Sequence, residues 1–161
     1  MFHKDTINYG LLLALVTIVI FAVTVNMDPQ STTVKILSWV NYLAGFIIIY
    51  LAIVNFRNKN GKLTIGQGFK TGLAVGLIAG VLLGLYAFLY YQYINPDAVE
   101  RIMELSREQM AEKGLDEELI EKNIEFTRKF FGMFAFAGSI INMLFIGILS
   151  GLAVGVWKRT E

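Results

Sequence analysis

Four long apolar runs alternate with polar stretches along the chain, at residues 8–25, 36–56, 72–93 and 134–157, and none carries Asp, Glu, Lys, Arg or His inside it. Each is long enough to span a membrane, since a helix rising about 1.5 Å per residue needs about 20 residues to cross about 30 Å of hydrocarbon. Helices are the form such segments take, because a backbone amide in lipid has no water to bond and must find its partner within the segment. The first run follows His3 and Lys4 but ends in AVTVNMD, without a small-residue cleavage motif, so it reads as a true span and not as a signal peptide.

Glycine recurs at every fourth position through the third run, at Gly68, Gly72, Gly76, Gly80 and Gly84, and again in the fourth at Gly147, Gly151 and Gly155. In water each interior glycine would cost a helix roughly 1 kcal/mol relative to alanine. In lipid the same spacing lets a second helix approach backbone to backbone. The two series are expected to pack on each other within one molecule. The alternative is that one of them faces a second copy or another membrane protein.

The polar stretches differ in kind. NMDPQSTT, after the first run, is a turn in which Ser31, Thr32 or Thr33 can cap the next helix. In the middle stretch Asn60-Gly61 is a tight-turn signal, followed by a short amphipathic entry into span three. Residues 95–131 form the soluble-looking part. Asn95-Pro96 starts a helix on which Ala98, Val99, Ile102, Met103 and Met110 recur at helical spacing. Gly114 ends it and Asp116 can cap the next, where Leu119, Asn123, Phe126 and Phe130 form one stripe and Ile120, Ile124, Thr127 and Phe131 its neighbour. The fold class is therefore all-α: a single membrane domain over 1–161, with a four-helix bundle and an extramembrane helical hairpin between spans three and four.

Charge orients this bundle. Arg57, Lys59, Lys62 and Lys70 crowd the middle stretch with no acid among them, whereas residues 95–133 hold ten acids against six bases. Short loops rich in Lys and Arg stay cytoplasmic, which places both termini and the middle stretch inside a bacterial inner membrane and the hairpin outside. The four bases of the middle stretch would then lie among anionic lipid headgroups, each worth about 1 kcal/mol. Tyr9 and Trp157 mark one interface, and Trp39, Tyr42, Tyr90, Tyr91, Tyr93, Phe130 and Phe131 the other.

Composition narrows the chemistry. The chain is 55% hydrophobic with a mean hydropathy of +0.57 and no cysteine, so disulfides and thiolate metal sites are excluded. With a net charge of +1 and no basic stripe or zinc-finger pattern, nucleic acid is not an expected partner. Lys70-Thr71 lies between Gly68 and Gly72, but a phosphate loop needs GxxxxGK[ST] after a strand, so that reading fails. Glu100, Glu104, Glu108 and Glu112 fall four apart; like charges at that spacing repel and mark a solvated face, here a candidate surface for a partner and not a metal site. The polar groups within the spans include Thr17, Thr24, Ser38, Asn41, Ser139, Asn142 and Ser150. Asn142, about a third of the way into span four, is the best candidate for a deep one and is expected to make an interhelical hydrogen bond worth roughly 0.6–1 kcal/mol. Membrane enzymes and coupled transporters normally keep an ionisable group in the bilayer. None is present, and the only histidine is His3, so neither catalysis nor a cofactor is expected.

The segments NFRNKNGKLTIGQGFKTGLAVGLIAG and YYQYINPDAVERIMELSREQMAEKG, followed by a glycine-bearing last helix ending in KR, resemble the bacterial inner-membrane domain-of-unknown-function family 4199. The resemblance covers nearly the whole chain and rests on Thr64-Ile65-Gly66-Gln67-Gly68-Phe69-Lys70 and on Asn95-Pro96-Asp97. Thr64-Ile65-Gly66 departs mildly from the family's Ser-Phe-Gly, and Lys62 stands where relatives have a second turn glycine. The resemblance implies four spans, a basic middle loop and an acidic hairpin, and no activity. The resulting expectation is a non-enzymatic accessory or scaffold subunit. The alternative is a homo-oligomeric channel or carrier with Asn142 along its path and Glu104 or Glu108 at its mouth. A lipid binder using the basic loop is a third possibility.

Overall fold

A computed structural model describes residues 3–160. Five α-helices follow in order: α1 (Lys4–Thr24), α2 (Thr32–Asn60), α3 (Ile65–Leu89), α4 (Asp97–Glu112) and α5 (Glu117–Lys158), with a π-helical turn at Tyr90–Ile94 joining α3 to α4. No strand occurs among the described residues. Four of the helical segments are long and apolar enough to cross a membrane.

Local chemistry sets the helix ends. Ser31 accepts a hydrogen bond from the Val34 amide at the start of α2, and Gly61 closes its end at φ 70°, a backbone angle that disfavours any residue with a Cβ. Thr64 and Gln67 form a reciprocal capping box at the start of α3. The basic middle stretch is thus mostly helix. Arg57 and Lys59 occupy the last turn of α2, Lys62 the short link, and Lys70 lies inside α3. The Asn60-Gly61 signal marks a helix cap and not a hairpin turn. Asp116 stands at the start of α5 but makes no side-chain cap.

α3 is the central helix. It packs most extensively on α5 and next on α1, while the backbones of α1 and α5 stay apart. α2 closes the bundle by reaching from α1 to α5. Leu13, Ile49, Ile53, Val75, Met143 and Val154 fill the core, all with at most 1% exposure. This core lies toward the end that carries the described termini. There the tail is fastened too: the Thr160 hydroxyl accepts from the Leu63 amide at 2.7 Å, and the Thr160 amide donates to the Leu63 carbonyl at 2.9 Å.

α5 is continuous over 42 residues, about 60 Å at 1.5 Å per residue, roughly twice the hydrocarbon thickness. Its first turns therefore stand clear of the spans and pair with α4. The two α5 stripes divide: Ile120 and Ile124 are buried against Val99 and Met103, while Leu119 and Phe126 face outward.

Candidate functional site

Three surfaces carry the residues that chemistry would use: a glycine seam, a polar cleft and the hairpin.

In the seam, the α3 series lies along α5. A Cβ built on Gly76 would sit 2.5 Å from the Met143 carbonyl oxygen, and one on Gly68 2.7 Å from the Gly155 Cα. Gly80 meets Ile140 and Gly84 meets Phe136 in the same way. From the other side, a Cβ on Gly147 would lie 2.5 Å from the Gly72 carbonyl oxygen, and Gly151 and Gly155 approach the Gly68 and Ile65 carbonyls. The two series thus meet within one molecule, with backbone as the nearest neighbour at each of these glycines, so substitution cannot be relieved by moving a side chain alone. Gly10, which the sequence reading passed over, plays a similar part between α1 and α3: a Cβ there would fall 2.7 Å from Ile78 Cβ. Its signal was a lone glycine in an otherwise unbroken apolar run.

The cleft opens where α2 leaves the bundle. All the buried residues of α2 fall in its second half, from Gly45 to Ile53, and its first three turns bury none. Between that splayed half and the rest lies a cavity of about 440 Å³. α1 contributes Thr17, Phe21 and Thr24; α2 contributes Ser38, Asn41 and Tyr42; α5 contributes Gly138, Ser139 and Asn142; and Tyr91 of the π turn closes one side. No charged side chain lines it. The hydroxyl protons are largely committed: Thr17 donates to the Leu13 and Ala14 carbonyls, Thr24 to Ile20, Ser38 to Val34 and Ser139 to Ala135, all at 2.7–3.0 Å. The Asn41 Oδ1 is buried without a hydrogen-bond partner among the described residues. Asn142 makes no interhelical hydrogen bond among them either, and instead lines this cavity about 12 Å along α5 from residue 134. Ser38 and Asn41 on α2, and Ser139 and Asn142 on α5, each stand three residues apart and so share a helix face. That repeated Ser-x-x-Asn pattern was the sequence signal for the cleft.

A second hollow of about 300 Å³ adjoins the first at Tyr42, which lines both. It runs between α2 and α5 toward the terminal end, lined by Phe46, Phe145, Leu149 and Ala153, with Ser150 as its one further hydroxyl.

The hairpin is tied down at its base. Asn26, just beyond α1, accepts from Tyr90 Oη at 3.0 Å, Asn95 Nδ2 at 3.1 Å and Arg101 Nη2 at 3.4 Å. Phe21 receives the edges of Tyr86, Tyr90 and Tyr91, and Tyr91 meets Phe131 at 4.8 Å between centroids. Ion pairs join the two arms, Arg128 to Glu100 at 2.9 Å and Arg107 to Glu121 at 2.8 Å. Of the four acids spaced along α4, Glu100 is thereby engaged. Glu104, Glu108 and Glu112 are exposed and form no ion pair among the described residues. No grouping of three His, Cys, Asp or Glu suited to a metal occurs among those residues.

At the opposite end the four bases separate. Lys59 pairs with Asp5 at 2.6 Å, Arg57 is half-buried, and Lys62 and Lys70 are exposed. Lys70 borders a hollow of about 240 Å³ with His3, Thr6, Gln67 and Thr71. Lys158 lies 4.0 Å over the Trp157 ring, which in turn meets Tyr50.

Four apolar spans around a glycine seam, with one extended helix carrying a polar hairpin beyond them, define an all-helical, multi-pass membrane protein. The chain belongs to the family described as "Protein of unknown function (DUF4199)", whose model matches residues 8–160. No curated protein and no solved structure matches it.

Proposed function

We propose that this protein is a non-enzymatic accessory or scaffold subunit of the bacterial inner membrane, with both termini cytoplasmic and the hairpin presented outside to a protein partner. The observation that carries the proposal is the unbroken α5. The helix locked into the glycine seam is the same helix that forms one arm of the hairpin, so the hairpin is held as a fixed projection. A fixed projection that carries the unpaired carboxylates of Glu104, Glu108 and Glu112 along one face of α4 suits a basic surface on a partner, since rim charges steer and orient association. The bases at the terminal end favour the cytoplasmic side for that end, and Lys62 and Lys70 are exposed there to lipid headgroups. The chain does no covalent chemistry in this reading, because its spans hold no ionisable group.

A channel through a single copy finds no passage at the terminal end, where Leu13, Ile49, Ile53 and Val154 are packed with no exposure. The test is charge reversal on the hairpin. Full-length protein carrying E104K, E108K and E112K should fold and insert normally yet lose a stoichiometric partner recovered with the wild type from gently extracted membranes. Recovery of the same partner by both proteins, or a wild-type particle holding only this chain, overturns the proposal.

A further inference from the structure

We propose that the polar cleft and the groove below it form a single binding site for one uncharged, hydroxyl-bearing lipid, which enters sideways between α2 and α5. The shape comes first. The polar hollow and the apolar one share Tyr42 in their linings, α2 and α5 contribute to both, and the apolar one lies nearer the terminal end. Along α5 the combined lining runs from Phe131 to Ala153, 22 residues apart and so about 33 Å of helix. A polar chamber adjoining an apolar trough at Tyr42 matches a molecule with a hydrogen-bonding head and a hydrocarbon chain. A free polar solute would leave the trough unused.

The chemistry of the lining selects the head. No Lys, Arg, Asp or Glu reaches the cleft, so a phosphate or ammonium would lose its hydration with no counter-charge in return. The hydroxyl groups of Thr17, Thr24, Ser38 and Ser139 give their protons to their own helices and present lone pairs to the cavity. Asn41 adds a buried carbonyl oxygen with nothing bonded to it. The Thr and Ser hydroxyls thus offer the site acceptors only, and its remaining donors are the side-chain amides of Asn41 and Asn142 and the hydroxyls of Tyr42 and Tyr91. A ligand that donates, through alcohol groups, completes it. An unpaired buried acceptor is costly, and this site has kept one.

Access follows from burial. Ser38, Tyr42 and Asn142 are exposed and Ser139 is half-buried at the rim where α2 stands off, so the opening faces sideways out of the bundle, toward lipid when the helices span. The site is independent of the hairpin's carboxylates and stands whether or not those carboxylates meet a partner.

The test is lipid retention by the purified full-length protein in detergent, read by mass analysis of the intact particle. Dioleoylglycerol, dioleoylphosphatidylcholine and free glycerol are offered separately. The wild type should hold one dioleoylglycerol per chain, and N41L with N142L should hold about tenfold less while melting no lower than the wild type. G138L reaches the same end by another route. A Cβ at Gly138 meets nothing within 4 Å among the described residues, and Gly138 lines the cleft, so the leucine should reach into the cleft and exclude the lipid without a clash at its base. Equal retention of dioleoylglycerol by wild type and both variants overturns the site. Equal retention of dioleoylphosphatidylcholine by the wild type overturns the selection of an uncharged head, and equal retention of glycerol overturns the assignment to a lipid.

Discussion

α5 meets α3 and α2 in opposite ways. Against α3 it presents Gly147, Gly151 and Gly155, and the backbones come into direct contact. Against the first half of α2 it presents Ser139 and Asn142, and the helices part around a cavity. Lipid tails are as apolar as leucine, so hydrophobic burial cannot pull two spans together; close packing and interhelical hydrogen bonds must do so. Where side chains are absent the packing term is large and the seam closes. Where polar side chains bond back to their own helices, neither term operates across the gap, and it stays open.

The largest expected effect comes from putting a side chain into the closed side. Gly76→Leu should destabilise the bundle by about 3 kcal/mol or more, because the neighbour at 2.5 Å is the Met143 carbonyl oxygen and backbone cannot rotate aside. Unfolding in mixed detergent measures it, and a midpoint equal to wild type would mean that the seam carries little of the stability.

Asn41→Leu probes the open side and should have the reverse sign. Removing a buried carbonyl with no partner is expected to stabilise the empty protein by about 1 kcal/mol in the same assay. A loss of stability would show that Asn41 braces α2.

The comparison sharpens within α5 itself. Gly147 and Gly138 are both helical glycines, but a Cβ on Gly138 meets nothing among the described residues. Gly138→Ala should therefore change the unfolding free energy by no more than about 0.5 kcal/mol, whereas Gly147→Ala should cost several times that. The smallest effect belongs to the hairpin. Arg128→Ala removes an exposed ion pair worth about 0.5 kcal/mol, visible only as faster amide exchange in α4 with the spans unchanged.

The spans and the glycine registers were readable in the sequence because lipid leaves its demand on every residue: an uncharged run of fixed length, and small residues wherever backbones meet. The arrangement of α2 was not readable by that route. Its apolar composition is even along the span, and only the position of Gly45 and Ala52, set against Ser38, Asn41 and Tyr42, divides the gripped half from the free one. Asn142 could be placed within a span from sequence, yet its surroundings depended on where α2 stood. The hairpin shows the same limit. Two neighbouring stripes on α5 had equal claims to burial, and the choice of Ile120 and Ile124 was made by α4, through Val99 and Met103. Similarly, Gly61 carried a turn signal whose meaning, a helix cap, depended on α2 running on to Asn60.

The seam also has a place in time. Its two halves lie at Gly68–Gly84 and at Phe136–Gly155, so α3 is synthesised and inserted well before its partner surface exists. During that interval α1 can already lie against α3 through Gly10 and Ile78, shielding one side of a helix whose other side is bare backbone. A ribosome that stalls within the hairpin would release a three-span intermediate with that bare side turned to the bilayer. Quality-control proteases that survey the membrane would meet it in that state, and the arrival of α5 would hide the face they read.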